Sequence, residues 1–313
     1  MFSPISPVMG MRVVAAAALT MVLWASTYVA IRAVGDAFDP GALALLRFAV
    51  GSVLLGIVVL LRREPRPARP DVGPVLLSGA LWFGAYGIAV NIGERSVDAG
   101  TASMIINVAP VLIAVVGGWV LHEGFPAPLI VGLIVAFGGA AVVGLTSSSG
   151  SAGSPAGVLW CVAAAVVYAA GVLIQKPVLQ RVTPLQVTFL SCAAGTAVCL
   201  PWAARLAHDL ASVAAKHLLL GLYIGAVPTA IAYLTWAYVL RQISASRLGV
   251  LTYLIPVCTV GLSALFLGEV PTSGTLVGGA ICLVGVLLAQ FRPRKAPNVN
   301  GPGRVTTGQQ EPG

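Results

Sequence analysis

One ionised side chain falls where a charge is costly. Arg47 lies about seven residues inside an apolar run at residues 41–61. At that depth a charge costs ~2.5 kcal/mol or more unless it faces a cavity or a partner. It either draws a carboxylate or other anionic group into a cavity, or it ties helix ends together and snorkels to the interface about two turns away. Two prolines, Pro110 and Pro256, fall near the middle of other apolar runs. Each removes a backbone donor and frees the carbonyl four residues earlier, at Ile106 and Thr252. Such interruptions mark hinges that line a binding cavity, or packing kinks that curve a helix. Asn107 and Tyr253 just precede them and offer polar groups to a substrate. Trp24, Tyr86, Tyr168, Tyr233 and Trp236 are the aromatic cavity candidates, suited to apolar or cationic ligand parts. Trp24 and Tyr28, at i,i+4, share a helical face. Anchoring in the interfacial belt is the competing role for Trp and Tyr near helix ends.

Enzyme chemistry finds little support. His122, His208 and His217 all lie at run ends, and only His208 has an acid beside it, Asp209. The five cysteines, all within apolar runs, form no CxxC pair, which points to small core residues and away from disulfides or a metal site. No GxxxxGK[ST] phosphate loop occurs. Neither a cofactor nor a metal is expected, and no residue is nominated as catalytic. Glu123 and Glu269 sit in short links before helices, where the positive N-terminus favours an acid. Glu94 and Asp98 flank Arg95 and are expected to pair locally. No acid stands mid-run, so proton coupling has no evident carrier.

The elements that must position these residues follow from composition. Of 313 residues, 58% are hydrophobic and 9% charged, against ~25% charged in a soluble domain, and the mean hydropathy is +0.95. That excludes an ordinary soluble enzyme, a nucleic-acid binder and a disordered regulator. A helix crosses the hydrocarbon core with ~20 mostly apolar residues. Ten such runs occur, at roughly 13–31, 41–61, 72–92, 99–121, 127–145, 156–174, 185–204, 217–240, 248–267 and 272–291. They are continuously apolar without barrel alternation, and in a bilayer such segments must be helices. The predicted fold is an all-α integral membrane protein.

Charge distribution orients it. The side holding the N-terminus carries thirteen Lys and Arg, and the other side carries four. The net charge of +8 is therefore a membrane signature rather than a nucleic-acid one. By the positive-inside rule both termini lie in the cytoplasm of a multi-pass protein of the inner membrane. An internal repeat accompanies this. At an offset of 146 residues, Arg95 matches Arg241, Pro110 matches Pro256 and Glu123 matches Glu269; at 144, Arg32 matches Lys176 and Pro40 matches Pro184. Each repeat holds five helices, an odd number, so the halves are inverted, the design that makes two conformations accessible. The expected organisation is a cytoplasmic N-terminus at 1–12, a first repeat at 13–145, a linker at 146–155, a second repeat at 156–291 and a disordered cytoplasmic tail at 292–313. Pairs such as Gly221/Gly225 and Gly274/Gly278 have GxxxG spacing, which serves packing within the bundle or a homodimer.

With LWASTYVAIR in the first run, LRF in the second, VLHE and FLGE ending the fourth and ninth, and two five-helix repeats, the chain resembles the drug/metabolite transporter superfamily, specifically its EamA-type exporters. The resemblance spans about residues 12–291 and departs at Trp-Ala-Ser, where many relatives have Trp-Gly-Ser. It implies a carrier with a central cavity, for a substrate drawn from amino acids, other metabolites or toxic compounds. The expected function is secondary transport of a small metabolite, outward, by alternating access. Its partners are the bilayer and a small-molecule substrate, with room for a coupling proton or counter-substrate. A membrane-embedded enzyme and a non-transporting scaffold are the alternatives.

Overall fold

The structure is a computed structural model that describes residues 11–120, 154–242, 251–252, 254–269 and 271–290, with scattered residues between 128 and 142. Among these, α1 spans Met11–Val34, α2 Pro40–Arg62 and α3 Arg69–Gly93. The fourth run divides into α4 (Ala99–Ile106) and α5 (Ala109–Val120). Then come α6 (Pro155–Val178), α7 (Pro184–Cys199), α8 (Ala203–Ser212), α9 (Ala215–Gln242), α10 (Leu254–Leu267) and α11 (Ser273–Gln290). Six continuous helical segments are long and apolar enough to cross a membrane, and three shorter apolar helices lie at 99–113, 254–267 and 276–285. The predicted fifth run falls mostly outside the described residues, as do Glu123, Tyr253, the linker and the C-terminal tail.

Local chemistry sets the helix starts. Asp39 accepts a hydrogen bond from the Gly41 N–H at 2.9 Å, with Pro40 in the first turn. Thr183 accepts from the Gln186 N–H at 3.3 Å, with Pro184 in the first turn. These are repeat-equivalent starts that use one device, a side-chain oxygen for an orphan N–H and a proline where none is needed. At its other end α2 stops on Arg63, whose φ of 48° is left-handed.

α2 and α7 also show the inversion directly. The end of α2 meets the start of α7, because the Thr183 hydroxyl donates to Glu64 Oε2 at 2.8 Å. The start of α2 meets the far end of α7, where Gly41 lies against the Trp202 ring. Just beyond, Asp209 on α8 accepts from the Asp39 N–H at 2.8 Å. Repeat-equivalent helices therefore run in opposite directions. The packing obeys the same exchange. α1 packs on α9 and α10, while its counterpart α6 packs on α3 and on α4 and α5. The halves interleave, and the core belongs to both.

Three expectations need correction. The fourth run is not a regular helix throughout, since Asn107 and Val108 form a turn in which the Val108 N–H donates to the Ile105 carbonyl, three residues back, at 3.1 Å. Pro110 then sits in the first turn of α5, where a missing N–H does no harm. The Thr252 carbonyl is not left free by Pro256, because it accepts from the Ile255 N–H at 3.0 Å. The seventh run does not stop near 204, but bends through a 3-10 turn at Leu200–Trp202 into α8.

Two further departures from regular helix were not foreseen. α3 widens into a π-helical segment at Ala80–Ala85, and α9 does so at Gly225–Ile231. An offset of 146 carries the first onto the second, so the irregularity belongs to the repeat. In α9, Pro228 within the segment supplies a cause, because it cannot donate to the ladder.

Candidate functional site

Between the repeats lies a cavity with about 540 Å³ of empty space, its open part included, walled by residues of α1, α2, α3, α4, α6, α9 and α10 together with Asn107 and Thr252. Its walls are mainly aromatic. Trp82 stacks on Tyr168 with centroids 5.1 Å apart, and Tyr233 lies 5.2 Å from Trp24 and 5.3 Å from Trp82. Tyr28 and Tyr86 meet through their hydroxyls at 3.4 Å. The i,i+4 spacing of Trp24 and Tyr28 on α1 brings both to this wall.

Among the described residues lining the cavity, Arg47 is the single charged one, and it is 2% exposed. Its Nε donates to the Thr229 hydroxyl at 2.8 Å, and it lies within hydrogen-bonding reach of Tyr233. The guanidinium carbon also sits 5.1 Å from the centre of the Phe48 ring. No carboxylate pairs with it among the described residues. The π segment of α9 delivers Thr229, and the π segment of α3 delivers Trp82 and Phe83. Gly225, within the α9 segment, lets α2 approach: a Cβ there would stand 2.8 Å from the Arg47 carbonyl oxygen. The indole N–H of Trp24 is buried without an acceptor among the described residues.

Of the residues singled out in the sequence, Trp24, Arg47, Tyr86, Asn107, Tyr168 and Tyr233 line this one cavity. Asn107 stands at the break between α4 and α5, its side-chain amide donating to the Ser103 carbonyl at 3.0 Å. Trp236 stands behind the wall, packed on Trp24 at 4.8 Å. Tyr253 lies outside the described residues. Pro110 and Pro256 do not line the cavity, but their neighbours Asn107, Thr252 and Ile255 do. Trp82, Thr27 and Thr229 were missed. The i,i+4 spacing of Trp82 and Tyr86 was a signal for the first; for Thr229 the one signal was Pro228 beside it, which lies in the π segment.

One end of the cavity is closed by polar contacts. Arg32, at the end of α1, forms an ion pair with Glu269 at 2.8 Å and donates to the Glu94 carbonyl at 3.1 Å. Arg95 donates to the Phe38 carbonyl at 2.8 Å and faces Asp36 at 3.6 Å. Asn91 donates to the Pro40 carbonyl at 2.9 Å, and Asp98 caps α4 through the Thr101 N–H. The expected local pairing of Glu94 with Arg95 does not form. The predicted structural role of Glu269 acquires a partner across the bundle.

An all-helical membrane bundle of two inverted repeats around an internal cavity defines a small-molecule carrier. The chain belongs to the EamA-like transporter family, whose profile matches residues 11–145 and again residues 155–291. It is 34% identical over 281 residues to a "Probable terminal-alkyne amino-acid exporter" of Streptantibioticus cattleyicolor, covering 90% of this chain and 94% of that one. A "Probable amino-acid metabolite efflux pump" of Salmonella typhimurium is 25% identical, covering 91% and 97% of the two chains. A protein of known crystal structure, 20% identical, superposes with a TM-score of 0.62 over 88% of this chain and 96% of its own, and shows the same fold. The protein is thus a multi-pass membrane transporter of small molecules and not an enzyme.

Proposed function

We propose that the chain exports a small amino-acid-like carboxylate with an apolar or unsaturated side chain, across the cytoplasmic membrane, by alternating access. The observation that carries this reading is Arg47, a buried cation in an aromatic cavity whose protein partners are neutral. Burying it is tolerable if a ligand carboxylate completes its environment, since hydrogen bonds between charged groups are about twice as strong as neutral ones. The Trp24 N–H, without an acceptor among the described residues, supplies a second donor. The rings of Trp82, Tyr168 and Tyr233 offer faces for an apolar or π-bearing side chain. Two relatives named for amino-acid export point the same way. The inverted repeat supports alternating access, because exchanging the shapes of the two halves moves the opening from one side to the other. The thirteen-to-four bias of Lys and Arg supports cytoplasmic termini.

The test is a thermal-shift screen of purified wild type beside Arg47→Ala, against amino acids, amines, sugars, nucleosides and organic acids. A ligand at 100 times its dissociation constant adds about 2.7 kcal/mol to the native state. Stabilisation of wild type alone by apolar or unsaturated amino acids is the expected result. Stabilisation by amines or sugars, equal in both proteins, overturns the reading.

A further inference from the structure

Above the cavity, at the closed end, lies a carboxyl group that the transport reading leaves without a task. Glu94 follows the last turn of α3 and is 2% exposed. Neither of its carboxylate oxygens has a hydrogen-bond partner among the described residues. A small void of about 230 Å³, lined by Ile31, Phe38, Asn91, Glu94 and Arg95 among others, adjoins it. Ile31 also lines the main cavity, so the two spaces share a wall residue. Burying an unpaired carboxylate costs several kcal/mol, which a proton removes.

We infer that Glu94 is the proton-binding site of this carrier: the Arg32–Glu269 end seals only over a protonated Glu94 or over a bound substrate that takes the proton's place. When that end opens to water, the substrate leaves and the hydrated Glu94 carboxylate takes up a proton from that side before resealing. When the cavity is open to the opposite side, the O–H bond breaks as substrate binds and the proton passes to water there, so one proton crosses against each substrate. This makes transport a proton-for-substrate exchange and rests on the export reading.

The groups around Glu94 fit that role. From α1, Arg32 approaches but spends its contacts on Glu269 and on the Glu94 backbone carbonyl, and Tyr28, its hydroxyl on Tyr86, lies within electrostatic range. From α2, Arg47 acts at longer range, and from α3 itself come Tyr86 and Arg95. Asp98 before α4 and Glu269 after α10 are acids and repel a charged Glu94, and Cys161 of α6 completes the surround. Burial pushes the Glu94 carboxyl well above its usual range, the two arginines oppose this, and Glu269 and Asp98 add to it. Because the folded value is the higher one, the sealed state gains stability below the ordinary carboxylate value and loses it as pH rises through the raised value. When the end opens, water removes the burial cost, so the carboxyl can exchange its proton with the water on that side. The latch and the proton site share Arg32, so opening one alters the other.

Two measurements test this on the purified full chain. Infrared spectra at neutral pH should show a protonated carboxylic-acid band that is absent from Glu94→Gln and restored in Glu94→Asp. Its persistence in Glu94→Gln, or its absence from wild type, overturns the inference whatever the substrate. In proteoliposomes, a one-unit pH gradient should drive about a tenfold gradient of a zwitterionic amino acid through wild type, given one proton exchanged per molecule. Glu94→Gln, which mimics the protonated acid, should lose that gradient while keeping counterflow exchange. A gradient retained by Glu94→Gln removes the proton role and leaves the export reading intact. Failure of wild-type counterflow with every amino acid removes the export reading, while the spectrum still decides Glu94.

Discussion

At Arg47 the protein partners are a threonine hydroxyl and a tyrosine, so the guanidinium is positioned without being neutralised. Removing it costs a ligand carboxylate a charged hydrogen bond of about 1.5–3 kcal/mol, or roughly 10- to 100-fold in apparent affinity. Arg47→Ala should show that loss in counterflow competition while reaching the membrane at wild-type levels. Arg47→Lys should recover only part of it, because an ammonium cannot hold Thr229 and present a planar fork together. Trp82 poses a different question, since it touches Trp24, Phe83, Tyr168, Tyr233 and Trp236 at once. Trp82→Ala should lower stability by about 3–5 kcal/mol, read as an earlier unfolding transition in detergent. Trp82→Phe should fold and lose affinity mainly for the larger unsaturated side chains. Arg47 was legible in the sequence because one charge in an apolar run has few explanations. Trp82 was not, because a tryptophan in a membrane helix is as readily an interfacial anchor as a cavity wall.

The helices place these residues through their irregularities. A regular α3 and a regular α9 would rotate Trp82 and Thr229 relative to the residues that follow; each π segment adds a residue to one turn and re-aims that face. The close approach of α2 depends on Gly225, and Gly225→Ala would press on the Arg47 carbonyl and on Val50. The expected outcome is a shift of α9 away from α2, with lost transport and a lower unfolding temperature, whereas Gly261→Ala, in open space, should leave both unchanged. Pro110 acts differently. It starts α5 beyond a break at Asn107 and Val108, so Pro110→Ala restores a backbone donor that can bridge the break and make α4 and α5 continuous. If flexing at the break carries the conformational change, this variant binds substrate within about twofold of wild type in thermal-shift titrations but turns over at least tenfold more slowly in counterflow. The sequence revealed that something interrupts the fourth and ninth runs, and the inversion followed from counting helices. It could not show which side of the proline breaks, because that depends on how each half-helix packs. The π segments were hidden for a related reason, since a hydrophobic run reads alike in α and π spacing.

Across the whole molecule, the sealed end is held by contacts weak enough to open. The Arg32–Glu269 pair joins the end of α1 to the segment after α10, from elements of opposite repeats, and each side chain is 27% exposed. Ion pairs with that much solvent contribute about 0.2–1 kcal/mol, which suits a latch that must release in every cycle. It is also a pair that charge exchange can test. Val90 lines the cavity and is buried, so Val90→Cys in a Cys258→Ser background places a thiol inside the sealed space, with the other native cysteines buried. A membrane-impermeant thiol reagent, added on the side that the proposed topology makes external, should label it slowly. Glu269→Arg sets two cations against each other and should open that end, speeding labelling by about two- to fivefold for a latch of this strength. Arg32→Glu sets two carboxylates against each other and should act in the same direction. Combining Arg32→Glu with Glu269→Arg restores attraction with the charges reversed and should return labelling to the slow rate. Equal rates in all four proteins would show that the pair does not hold this end. Fast labelling of the parent protein from the opposite side alone would place the sealed end toward the cytoplasm and reverse the topology drawn from Lys and Arg.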